Sequence, residues 1–121
     1  MALIVEDDED AASIFAKALQ DAGFESELVR AGDEALTWLA RLAPGVVILD
    51  LELPRVLGED VLHQIRADAR LTKTCVIVAT AYPDLAAGLK DEADLVLIKP
   101  VGYGQLRDLA TCVSAILEAS K

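Results

Sequence analysis

The chain has 121 residues, 54% of them apolar and 26% charged, the size and mixture of one compact domain spanning residues 1–121. A domain of this length buries roughly two thirds of the surface its unfolded chain would expose, so it needs no disulfide framework. Eleven basic residues against twenty-one acidic ones leave a formal charge of -10, which argues against an electrostatic grip on nucleic acid phosphates. No apolar run approaches the roughly 18 residues that span a membrane, and the start, Met1-Ala2-Leu3-Ile4-Val5-Glu6-Asp7, lacks the basic segment of a secretory signal. A soluble, cytoplasmic protein is expected. Cys75 and Cys112 belong to no CxxC or Cys/His cluster and read as small buried side chains of a protein from a reducing compartment.

Ala2 to Val5 opens a series of short, almost wholly apolar runs, continued by Val46 to Leu49, Val76 to Ala79 and Leu95 to Ile98. Unbroken runs of this length, rich in β-branched residues, fit strands covered on both faces. Between the first two lies Glu25-Ser26-Glu27-Leu28-Val29, more polar and suited to a sheet edge. Helical spacing fills the gaps. Ala11, Phe15, Ala18 and Ala22 form one stripe, followed by Gly23 where a left-handed cap is wanted. Ala35, Leu36, Leu39 and Leu42 form a second, closed by Pro44-Gly45. Val61, Leu62 and Ile65 predict a shorter third helix and Leu85 to Leu89 a still shorter fourth. Leu106, Leu109, Ala110, Val113 and Leu117 predict the last. Strand and helix alternate five times, which predicts a doubly wound α/β sheet with right-handed crossovers.

In such sheets ligands sit beyond the carboxyl ends of the strands. There the sequence places Glu6 and Asp7, then Asp50, Thr80 and Lys99-Pro100. Asp8, Glu9 and Asp10 are explained by capping and by the helix dipole. Glu6, Asp7 and Asp50 would bring three negative charges together and push at least one pKa upward unless a cation intervened. Lys99 offsets one charge and a divalent metal the other two. All-oxygen ligands favour Mg²⁺ or Mn²⁺ over zinc. Carboxylate, metal, hydroxyl and ammonium together describe phosphoryl transfer onto Asp50. The metal and Lys99 would neutralise the phosphoryl oxygens, and Thr80 would donate a hydrogen bond to one of them.

From Leu3 to the final helix the sequence resembles the receiver domain of bacterial two-component response regulators. The likeness rests on Glu6-Asp7 in Leu-Ile-Val-Glu-Asp-Asp and on Asp50 in Val-Val-Ile-Leu-Asp-Leu-Glu-Leu-Pro with Pro54 and Gly58 after it. It rests also on Thr80 in Val-Ile-Val-Ala-Thr-Ala and on Lys99-Pro100, a bond usually cis in that family. The resemblance implies a flavodoxin-like five-stranded parallel sheet of order 2-1-3-4-5 flanked by five helices. It also implies Mg²⁺ held by Asp7, Asp50, the backbone carbonyl of Glu52 and, largely through metal-bound water, Glu6. Thr80 would be the switch hydroxyl, and the small Ala81 would leave room for the phosphoryl group.

By the same likeness the phosphoryl donor is a sensor histidine kinase or a histidine phosphotransfer protein, and the output is a downstream protein or a fused domain. The output face is formed by the fourth helix, last strand and last helix, which can also support a homodimer. No direct contact with nucleic acid or membrane is implied, and no enzyme activity beyond the domain's own phosphorylation and dephosphorylation.

Three positions depart from the family pattern. Val96 stands where Tyr or Phe is common, Val101 where Phe often follows Lys-Pro, and Gly45 where an acid is usual. Coupling through Thr80 and loop movement without a ring flip is therefore expected. His63 is expected to face solvent, Trp38 to pack beside the core, and Gly102-Tyr103-Gly104 to loosen the start of the last helix. Two other readings compete: a phosphorylation-independent interaction module on the same fold, and a haloacid-dehalogenase-type phosphatase. The second fits poorly, since Asp50-Leu51-Glu52 is not Asp-x-Asp and the chain lacks room for that family's larger core and cap.

Overall fold

The computed structural model describes residues 1–53 and 56–119; Pro54 lies outside them. Along the chain run β1 (Ala2–Val5), α1 (Glu9–Asp21), β2 (Ser26–Val29), α2 (Gly32–Leu39), β3 (Val46–Asp50) and α3 (Gly58–Ala67). A single 3-10 turn (Ala69–Leu71) follows, then β4 (Cys75–Thr80), α4 (Pro83–Ala87), β5 (Leu95–Ile98) and α5 (Tyr103–Ala119). The five strands are all parallel in the order β2-β1-β3-β4-β5, as the resemblance implies.

Alternation along each strand divides the core between two faces. Leu3, Val5, Val47, Leu49, Val76 and Val78 point to one side and pack with Ala35 and Leu39 of α2 and Val61, Leu62 and Ile65 of α3. Ala2, Ile4, Val46, Ile48, Ile77 and Ala79 point to the other, against Phe15, Ala18 and Leu19 of α1 and Leu106, Ala110 and Val113 of α5. Both sides of β1, β3 and β4 are thus dry, which is why these strands read as unbroken apolar runs.

Helix boundaries follow from local chemistry. Asp8 caps α1 by accepting from Ala11 N–H at 3.2 Å, and Gly23, with φ of 95°, turns the chain out of that helix. At the start of α3, a Cβ on Gly58 would lie 2.5 Å from the Asp50 carbonyl oxygen and 2.6 Å from Leu51 Cα. Backbone cannot yield there, so Gly58→Ala is expected to destabilise the fold by about 3 kcal/mol, visible as a lower urea midpoint at unchanged slope.

Several expectations are corrected. The run Leu95 to Ile98 is covered on both faces only in part: β5 is the sheet's second edge, and Ile98 is 44% exposed. Leu42 lies beyond the end of α2 and is exposed, so the second stripe stops at Leu39. The fourth helix starts at Pro83 and ends at Ala87, because proline supplies a ready first-turn residue; Leu85 faces out. Cys112 lies on the exposed side of α5 and Cys75 is only half-buried, so neither is the fully buried residue expected. In the Gly102-Tyr103-Gly104 stretch, Tyr103 opens α5, its hydroxyl donates to the Asp21 carboxylate and Arg107 lies 5.4 Å from its ring centroid. That contact ties α5 to α1.

Trp38 packs against the core and donates from Nε1 to Glu27 at 2.9 Å. His63 is exposed, as expected, and pairs with Glu92 at 2.6 Å, which holds its imidazole above the usual range. Among the described residues no helix is long and apolar enough to cross a membrane.

Candidate functional site

The strand register sets the levels of the polar groups. Val5 pairs with Leu49 and Asp50 with Ala79, so the chain leaves β1 at Glu6 beside Asp50, with Thr80 one residue farther along β4. Thr80 pairs with Ile98, and Lys99 N–H donates to the Thr80 carbonyl at 2.8 Å, which brings the start of the cis Lys99-Pro100 bond to the same edge. Glu6, Asp50 and Thr80 are 0%, 2% and 0% exposed, whereas Asp7 is open to solvent.

Glu6, Asp7 and Asp50 each bring a carboxylate oxygen to one place, all within 4.8 Å of one another. Lys99 Nζ stands 3.1 Å from both Glu6 Oε1 and Asp50 Oδ1. Its approach to Glu6 Oε1 is close enough for an ion pair but not aligned as a hydrogen bond, and that buried oxygen has no hydrogen-bond donor among the described residues. Burial, and then the neighbouring Glu6 carboxylate, push the Asp50 carboxyl up to about 6, against the opposing pull of Glu52 N–H and Lys99. Burial works to lower the Lys99 pKa, but the Asp50 and Glu6 carboxylates outweigh it and hold the ammonium above its usual range. Among the described residues one cation, Lys99, thus faces three carboxylates, two of them buried. A divalent ion would relieve that imbalance, and an all-oxygen donor set is the kind Mg²⁺ and Mn²⁺ take.

Asp50 is held by the loop that follows it. Glu52 N–H donates to Asp50 Oδ1 at 3.0 Å and Leu51 N–H to the Ala79 carbonyl at 3.2 Å. Ala81 is exposed, and Val96 is partly buried against the α2/α3 side of the core. Val101 is buried against the α1/α5 side.

One participant is not legible in the sequence. The Glu52 side chain, of which only the backbone carbonyl was expected to matter, reaches across to β4. Its Oε1 accepts from the Thr80 hydroxyl at 3.1 Å and from Ala81 N–H at 2.9 Å. Thr80 Oγ in turn accepts from Tyr82 N–H at 3.0 Å. The signal available beforehand was an acid two residues past the acceptor, which by itself marks no direction.

Residues 2–111 match the family profile described as the response regulator receiver domain. The chain is 35% identical over 98 residues to the DNA-binding response regulator MtrA of Mycobacterium tuberculosis, covering 81% of this chain and 43% of that protein. To the sensory transduction protein RegX3 of the same species it is 36% identical over 115 residues, covering 95% and 49%. The chain therefore spans less than half the length of these relatives. Among solved structures, the chemotaxis response regulator CheY4 of Vibrio cholerae superposes with a TM-score of 0.83 at 26% identity, over 93% of this chain and 96% of that one. The signal receiver domain of a putative Luxo repressor protein from Vibrio parahaemolyticus gives 0.83 at 30% identity, over 99% and 95%.

Proposed function

The chain belongs to the response regulator receiver domain family, and from that premise we propose that Asp50 accepts a phosphoryl group from a phosphohistidine donor. The donor is a sensor histidine kinase or histidine phosphotransfer protein. The observation that carries this reading is the buried acceptor itself: Asp50, 2% exposed, with Lys99 Nζ at 3.1 Å and Glu6 and Asp7 beside it.

Each residue has a task that its position supports. Asp50 Oδ attacks the phosphorus while the bond from phosphorus to the leaving group breaks, and an acyl phosphate forms. Lys99 supplies a positive charge to the incoming phosphoryl oxygens. Thr80 O–H and Ala81 N–H, adjacent donors at the end of β4, bind one of those oxygens. Glu6, Asp7, Asp50 and the Glu52 backbone carbonyl would hold Mg²⁺ or Mn²⁺, which when bound adds charge neutralisation at the same oxygens. Beyond this self-phosphorylation the domain turns over no substrate. Val96, lacking a ring, leaves Thr80 and its loop to carry the change toward the face formed by α4, β5 and α5. That face meets a downstream protein, a fused output domain or a second copy of the chain. Such a switch needs only a few kcal/mol of difference between two states.

Incubation with acetyl phosphate and Mg²⁺ is expected to add the mass of one phosphoryl group to the chain and none to Asp50→Asn, read by intact-mass spectrometry. An unmodified parent would overturn the reading in favour of a phosphorylation-independent interaction module.

A further inference from the structure

We propose that the Glu52 carboxylate is an internal occupant of the phosphoryl-oxygen seat, and that it must leave before Asp50 can be stably phosphorylated. This inference rests on Asp50 being the acceptor and concerns how readily it accepts.

Glu52 Oε1 collects two donors, Thr80 O–H at 3.1 Å and Ala81 N–H at 2.9 Å. Each group has one proton to give. The Thr80 oxygen also accepts from Tyr82 N–H at 3.0 Å, so the hydroxyl is engaged on both counts. A carboxylate oxygen and a phosphoryl oxygen are both anionic acceptors that draw such donors into short, charge-assisted bonds. The unphosphorylated protein thus satisfies its switch hydroxyl with its own side chain, and a phosphoryl group arriving on Asp50 finds both donors taken. It also meets a second negative charge, since Glu52 follows Asp50 by two residues and its N–H already bonds to Asp50 Oδ1 at 3.0 Å.

The occupant is built to be displaced. Glu52 is only half-buried and lies in the loop after β3, so its side chain can swing to water. In the seated position Oε2 is buried with no hydrogen-bond partner among the described residues, a cost that leaving removes. On phosphorylation Asp50 Oδ bonds to phosphorus, the bond from phosphorus to the acetate oxygen breaks with its electron pair on acetate, and Thr80 and Ala81 transfer their hydrogen bonds from Glu52 to a phosphoryl oxygen. Glu52 changes position only. It is a positioning residue that sets the rate and extent of phosphorylation through Thr80.

The test follows intact mass against time in acetyl phosphate and Mg²⁺ for the parent chain, Glu52→Gln and Glu52→Ala. Removing a charge-assisted contact that competes with the phosphoryl group is expected to speed phosphorylation about tenfold in Glu52→Ala. Glu52→Gln, whose amide oxygen can still accept but carries no charge, is expected to gain less, about threefold. The Ala81 amide resonance should move in unphosphorylated Glu52→Ala and much less in Glu52→Gln. Equal or slower rates in folded variants overturn the inference while leaving the acceptor reading intact. If the parent and both variants stay unmodified, the acceptor reading fails and this one with it. Should Glu52→Ala not fold, the near-isosteric Glu52→Gln decides the matter.

Discussion

Lys99→Ala is expected to slow phosphorylation of Asp50 by acetyl phosphate about a hundredfold, the range seen when one preorganised electrostatic partner of a reacting oxygen is removed. Two effects act in the same direction. The Nζ that stands 3.1 Å from Asp50 is lost to the incoming phosphoryl oxygens. Asp50 itself also becomes a poorer nucleophile near neutral pH, because Lys99 opposes the burial and the Glu6 contact that already hold the carboxyl at about 6. Without the ammonium more of the acceptor stays protonated. Lys99→Arg keeps the charge but replaces a compact ammonium by a planar fork on a longer stem, so only partial recovery is expected. Initial rates from intact mass, taken near pH 7 and again near pH 8.5, separate the two effects: the nucleophile's share shrinks at the higher pH and the phosphoryl share does not. A rate within a factor of two of the parent would remove Lys99 from the site.

Asp50→Asn, the variant proposed to block acceptance, is expected to make the metal-free fold more stable by about 2 kcal/mol near pH 8. Burial first, then Glu6, raise the Asp50 pKa from 3.8 to about 6 in the folded protein. A raised folded-state pKa favours the native protein fully below the unfolded value and ceases to do so as pH rises through the folded one. The cost of the ionised carboxylate therefore grows between about pH 4 and pH 6 and is complete above that. Asparagine carries no such cost, so its advantage should be largest at alkaline pH and vanish below about pH 4. Urea unfolding of both proteins near pH 8, 6 and 4 measures this. Saturating Mg²⁺ should narrow the difference near pH 8 by stabilising the parent more than the variant. An unchanged midpoint across the series would mean that the folded carboxyl titrates like a free one.

Both predictions have the same origin. The strand ends gather charges that folding alone would keep apart, and on the proposed reading the fold tolerates them because phosphoryl transfer would use them. The surrounding core bears that cost: β1, β3 and β4 are dry on both faces, and Gly58 lets α3 close on the Asp50 backbone without a Cβ in the way.

What could be read from the sequence alone is what depends on short-range pattern. Apolar runs of four or five residues separated by helical stripes dictate a parallel sheet wrapped on two sides, and residues that end such runs meet at one edge wherever strands are parallel. Glu6, Asp7, Asp50, Thr80 and Lys99 were legible for that reason, and Asp8 and Gly23 as caps because their chemistry is local. Tertiary structure decided whatever depends on a neighbour distant in the chain. Val96 and Ile98 are half-covered because β5 became an edge, Cys112 is exposed because of which side α5 turned to the sheet, and Tyr103 is an anchor because Asp21 of α1 lies beside it. The direction of the Glu52 side chain belongs to the same class. A loop residue has no periodicity to orient it, and only the packing of β4 beside β3 placed two donors within its reach.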